Sequence, residues 1–161
     1  MSTSLTFTFD VDQTAEQAFA AINDVRAWWS GHIEGRTDEL GAEFTYTVEG
    51  IHYSRFRITE MVPNQKVSWL VLESFLKFTE DKEEWTGTTV VFDVREHDGR
   101  TRVTFSHDGL YPAHECYVVC STAWGEYVNG SLRTLIESGA GRPNSFEGEE
   151  VLEKVQAQHA R

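Results

Sequence analysis

The feature that most limits what this chain can fold into is a change of hydrophobic period. From Leu5 to His107 apolar residues recur at every second position in one segment after another; beyond Pro112 they recur every three or four. Period two marks half-buried strands, and a period near 3.6 marks an amphipathic helix. A sheet with one apolar face must be covered, and one long helix is the only element extensive enough to cover it. The pattern therefore predicts an α+β fold, a curved antiparallel β-sheet wrapped around a long C-terminal α-helix.

The segments are specific. Leu5, Phe7, Phe9 and Val11 alternate in the first strand. Thr14 and Gln17 then match a capping box, opening a short helix that turns Ala18, Phe19, Ile22 and Val25 inward and ends at Trp28-Trp29. Phe44, Tyr46 and Val48 share one face of the next strand; Ser54, Phe56 and Ile58 form the inner face of the one after. Val62-Pro63-Asn64-Gln65 is a turn. The stretch Val67 to Phe78 is apolar on both faces, with Val67, Trp69 and Val71 on one side and Leu70, Leu72 and Leu76 on the other. Thr79 to Trp85 is acidic and reads as a loop, with Trp85 a lid residue or an ordinary exposed one. Strands at Thr88 to Arg95 and Thr101 to His107 flank Asp98-Gly99, a strong hairpin signal.

Pro112 suits the first turn of the last helix, and Glu115 there complements its dipole. At about 100° per residue, Ala113, Tyr117, Cys120, Tyr127, Val128, Ser131, Leu132 and Leu135 share the face of Trp124. Glu115, Thr122, Glu126, Arg133 and Glu137 lie opposite. Gly139, Gly141 and Pro143 end it. Residues 1–141 thus form one domain, and 142–161 a tail with a weaker helix candidate, Phe146 to His159, carrying Val151, Leu152 and Val155 on one face.

Composition narrows the partners. Fourteen Lys and Arg against 26 Asp and Glu give a formal charge of −12, which repels phosphate backbones and anionic headgroups. No nucleic-acid partner is expected. No 18-residue apolar run predicts a membrane span, and the N-terminus lacks a signal-peptide pattern, so a cytoplasmic location is the default. Cys116 and Cys120 are spaced i, i+4; on a helix their Cβ atoms lie about 5–6 Å apart, beyond the about 3.5–4.5 Å of a disulfide. They read as reduced core thiols.

Four pieces resemble the START-like superfamily of helix-grip folds, and more closely the branch of activator of heat-shock-protein-90 ATPase-like proteins. They are Thr14 to Phe19 leading to Trp28-Trp29; Glu60-Met61-Val62-Pro63 with Val67-Ser68-Trp69; Gly99 to Leu110; and Trp124-Gly125 followed by Ser131-Leu132 and Leu135 to Gly139. The resemblance spans about residues 5–141. It implies a cavity between sheet and helix, and a superfamily that includes lipid and hormone binders and polyketide cyclases. The chaperone activator carries a further domain for which 161 residues leave no room, which weighs against co-chaperone activity.

The leading expectation is binding of a small hydrophobic or amphipathic ligand. The candidate liners are Trp29, Phe44, Tyr46, Phe56, Trp69, Phe92, Phe105, His107, Cys120, Trp124 and Tyr127, an aromatic set of the kind that small-molecule sites use; the competing reading is that these side chains fill the core. His107 is the polar member, suited to anchor a ligand or move a proton, or simply to hold the core by hydrogen bonds. His52, Glu60 and Glu73 are further inward polar candidates. A second expectation is an acid–base enzyme of cyclase or hydrolase type using His107. A third is an interaction module working through a sheet edge or the tail, with a homodimer as one form of it. No metal pattern, nucleophile motif or phosphate loop appears, and no cofactor is expected.

Overall fold

The computed structural model describes residues 5–48, 52–76, 85–110 and 117–143. Strands β1 (Leu5–Val11), β2 (Ile33–Gly35), β3 (Glu43–Val48), β4 (His52–Val62), β5 (Lys66–Leu76), β6 (Thr89–His97) and β7 (Arg100–Asp108) form one seven-stranded sheet in the order β1-β7-β6-β5-β4-β3-β2. Every pairing is antiparallel. Helices α1 (Ala15–Asn23) and α2 (Val25–Trp28) link the two edge strands. A C-terminal helix runs as α3 (Tyr117–Gly125), a π-helical segment (Glu126–Leu132) and α4 (Arg133–Ser138). This is the helix-grip arrangement expected from the change of period. Among the described residues no helix is long and apolar enough to cross a membrane.

Local chemistry sets the boundaries. Thr14 Oγ1 accepts from the Gln17 amide at 3.1 Å while Gln17 Oε1 accepts from the Thr14 amide at 2.9 Å, completing the capping box. At the other end α1 leaves carbonyls without helical partners. The Trp28 indole donates to the Ile22 carbonyl at 3.0 Å and the Thr37 hydroxyl to the Asn23 carbonyl at 2.7 Å. That break turns the chain so that both Trp28 and Trp29 enter the core, where each is at most 2% exposed. Asp98 and Gly99 adopt φ of 52° and 80°, as a two-residue hairpin of this type requires. Gly35 adopts φ 105°, and a Cβ there would strike the Glu43 carbonyl; only glycine lets β2 come this close to β3.

Two bulges correct the sequence reading. Arg55 pairs with Glu73 but Phe56 pairs with Val71, so Leu72 is an extra residue on β5; Ile58 pairs with Trp69 but Glu60 with Ser68, so Thr59 is extra on β4. Each extra residue reverses which side chains face inward. Glu73 is therefore exposed and pairs with Arg55 at 3.2 Å, and Leu76 is buried on the inner side with Ser74. Glu60 is exposed and meets Lys66 at 3.1 Å. Neither carboxylate is an inward group.

The last helix departs from a regular α-helix at its centre. Its buried positions are Cys120, Trp124, Val128, Ser131, Leu132 and Ile136. Steps of four overshoot an α-turn by about 40° each, and the wider i→i+5 turn of the π segment takes up that drift. Leu135, expected inward, is half-buried and Ile136 takes the core position. Gly139 closes the helix with φ 85°. Cys116, Pro112, Glu115 and the tail candidate around Val151, Leu152 and Val155 lie outside the described residues.

Candidate functional site

The concave face carries the aromatic residues in two levels. Adjacent strands supply the floor, where Phe44 lies 5.0 Å from Phe56, Phe56 5.7 Å from Trp69, Trp69 5.2 Å from Phe92, and Phe92 5.2 Å from Phe105, between ring centroids. All five are at most 1% exposed. Cross-strand register fixes this row: Phe44 faces Phe56, and Phe92 faces Phe105, across neighbouring strands.

Above the floor, rings from separate elements close a circuit. Trp29 follows α2 and lies 4.5 Å from Tyr46 of β3; Tyr46 lies 4.9 Å from His52 of β4; His52 lies 5.0 Å from Trp85; Trp85 lies 5.8 Å from Trp124 of α3; and Trp124 returns to Trp29 at 5.0 Å. Tyr127, half-buried on the π segment, adds a contact to Trp29 at 6.3 Å. Cys120 lies one turn before Trp124, buried and unbridged. The structure thus gathers the eleven candidate liners between the sheet and the helix, with His52 beside them, while Glu60 and Glu73 lie on the exposed side.

Trp85 is the correction in this set. Its acidic surroundings suggested a lid or an exposed loop residue, yet it is 4% exposed and stacks on Trp124 within 12° of parallel. Its ring also meets the edges or faces of His107 at 4.8 Å and His52 at 5.0 Å, nearly perpendicular to both. Nothing in the local alternation signals this, because the residue precedes β6 outside any strand. Gly87 at φ 86° and the Thr88 side chain turn the chain here.

His107 is fully buried and holds a directed hydrogen-bond chain. The Trp124 indole, which can only donate, donates to His107 Nδ1 at 3.1 Å. His107 Nε2 must then carry the proton in the neutral ring, donating to Thr88 Oγ1 at 2.7 Å. The Thr88 hydroxyl in turn donates to the Trp85 carbonyl at 2.5 Å. One chain of donors therefore ties the helix, β7 and the Trp85 segment together. His52 is half-buried, bonded to Ser54 Oγ at 2.7 Å, and burial pushes its pKa down to about 3, so it is uncharged at neutral pH.

Among the described residues, two polar atoms of the assembly have no partner. Trp29 Nε1 and Trp69 Nε1 are buried and make no hydrogen bond; their rings lie 6.3 Å apart and within 3° of parallel. A separate polar cleft of about 600 Å³, beside Asn23, Asp24, Arg26 and Asp38, is open to solvent. Its Arg26 is committed to the carbonyls of Ile33 and Gly35.

The family model described as Activator of Hsp90 ATPase homolog 1-like protein matches residues 12–137. No curated protein matches the sequence significantly. Among solved structures, the Aha1 dimer from Colwellia psychrerythraea is 21% identical with a TM-score of 0.69, the match covering 86% of this chain and 99% of that one. Protein MLL2253 from Mesorhizobium loti is 13% identical with a TM-score of 0.67, over 83% and 96% of the two chains. CalU16 from Micromonospora echinospora is 14% identical with a TM-score of 0.59, over 99% and 87%. At these identities the likeness establishes the fold.

Proposed function

Because the chain belongs to the family of Activator of Hsp90 ATPase homolog 1-like proteins, with a helix-grip fold, we propose that it binds a small hydrophobic or amphipathic molecule between the concave face of the sheet and the C-terminal helix. The observation that carries this reading is the circuit of rings formed by Trp29, Tyr46, His52, Trp85 and Trp124. The sheet, the residue that follows α2, the C-terminal helix and the segment before β6 each supply part of it, and it adjoins the π-helical turn. π-Helical turns concentrate at functional sites, and apolar sites with few placed polar groups are the usual form of a small-molecule pocket. His107 orients this set rather than transferring protons, since both its ring nitrogens are engaged by Trp124 and Thr88.

The test is uptake of an uncharged hydrophobic fluorophore such as N-phenyl-1-naphthylamine, by wild type and by Trp124→Phe and Tyr46→Phe. Saturable one-to-one uptake weakened by Trp124→Phe, in protein that melts cooperatively, supports the site. Equal uptake by wild type and Trp124→Phe removes the helix-facing location.

A further inference from the structure

Resting on the ligand-binding reading above, we infer that the ligand is an uncharged aromatic carbonyl compound: a flat ring system whose oxygen accepts a hydrogen bond from Trp29 Nε1.

The walls argue for flatness. Rings in the circuit lie 4.5 to 5.8 Å from their neighbours, and aromatic faces and edges are best matched by another π-system in offset-stacked or edge-to-face contact. An alkyl chain gains burial there but none of that directional term.

The polar groups argue for an acceptor. Trp29 is 2% exposed and Trp69 0%, and both indole N–H groups are buried without a partner. A buried donor without an acceptor is strongly unfavourable, and indole can only donate. Two such donors sit in rings parallel to one another at 6.3 Å. Among the described residues, the buried side-chain groups left without a partner in this part of the core are thus both donors, which an oxygen acceptor satisfies and a hydrocarbon or an ammonium group does not.

The charges argue for neutrality. Among the described residues the buried polar set comprises Ser30, Thr37, Ser54, Ser68, Ser74, Thr101, His107 and Ser131, with no carboxylate, lysine or arginine. His52 beside the circuit is uncharged, and the hydrogen bonds of His107 fit a neutral ring. A ligand carboxylate or ammonium would enter without a counter-ion among these groups, which is costly.

The experiment uses the full chain, refolded from urea to remove small molecules, and four probes: 2-acetylnaphthalene, its hydrocarbon counterpart 2-ethylnaphthalene, 2-naphthoate, and decanoate. Calorimetric titration reads affinity, and the indole 1H–15N resonances of the five tryptophans read the donor, with the Trp29 signal assigned by its loss in Trp29→Phe. The inference predicts that the ketone binds roughly tenfold or more tighter than the hydrocarbon and tighter than either anion. It also predicts that the ketone alone moves the Trp29 indole proton downfield, and that Trp29→Phe brings ketone and hydrocarbon affinities together. Should the variant not fold, the wild-type ratio and indole shift decide. Equal binding of ketone and hydrocarbon, or tightest binding of naphthoate or decanoate, overturns the ligand class while leaving ligand binding intact. No binding of any probe overturns both readings.

Discussion

Trp28 and Trp29 offer the same substitution at adjacent, fully buried sites with opposite hydrogen-bond status. Trp28 Nε1 satisfies the Ile22 carbonyl at 3.0 Å, while Trp29 Nε1 has no partner among the described residues. Trp→Phe at either position removes the same atoms and leaves a comparable void, so the transfer and cavity costs largely cancel in the comparison. What differs is the polar part. Trp28→Phe strands the Ile22 carbonyl, costing about 1–3 kcal/mol, whereas Trp29→Phe relieves a stranded N–H worth about the same. In ligand-free protein Trp28→Phe should therefore be the more destabilising by about 2–6 kcal/mol. At roughly 2–4 °C per kcal/mol for a chain of this size, the two melting temperatures should differ by at least about 4 °C. Urea titration with equal m-values is the assay. Stabilities equal within about 0.5 kcal/mol, or Trp29→Phe the weaker protein, would mean that Trp29 Nε1 is satisfied in solution, and the reasoning would fail.

Two further predictions concern the frame around the site. Gly35→Ala and Gly99→Ala both place a side chain at positive φ, but only at Gly35 does the new Cβ meet backbone, the Glu43 carbonyl; thermal melting should rank Gly35→Ala as the costlier, with Gly99→Ala near the about 1–3 kcal/mol of strain alone. His52 has its pKa lowered from 6.5 to about 3 by burial, so between those values the unfolded chain binds a proton that the folded one does not. Its contribution is complete above pH 6.5 and is lost as the pH falls toward 3. Urea midpoints from pH 7 to about 5.5, above the usual carboxylate range, should fall more steeply for wild type than for His52→Gln; parallel slopes would assign the acid sensitivity elsewhere.

Much of the frame was legible because local chemistry and global fold agree. The alternation through Phe44, Tyr46 and Val48, the Thr14–Gln17 box and the Asp98-Gly99 turn each appear where the pattern puts them. The errors share a cause: one residue too many in a regular element. Leu72 and Thr59 bulge out of their ladders, and their neighbours Glu73 and Glu60 change side. Nothing in a run such as Val71-Leu72-Glu73 marks which residue is extra, because that choice is made by the partner strand. The same holds for the π turn, which moves Ile136 rather than Leu135 into the core. Trp85 was illegible for another reason. Its burial comes from tertiary partners, Trp124, His107 and His52, that no local pattern connects to it.

The central claim, that the interface between sheet and helix takes up a small hydrophobic molecule, is tested most directly by native mass spectrometry of the freshly purified 161-residue chain beside its denatured mass. The account predicts an additional non-covalent mass of a few hundred daltons in the native spectrum alone, or its appearance on incubation with 2-acetylnaphthalene at one molecule per chain. A bare mass in repeated preparations, with no adduct from any of the four naphthalene and decanoate probes, would contradict it and leave the aromatic assembly as packed core.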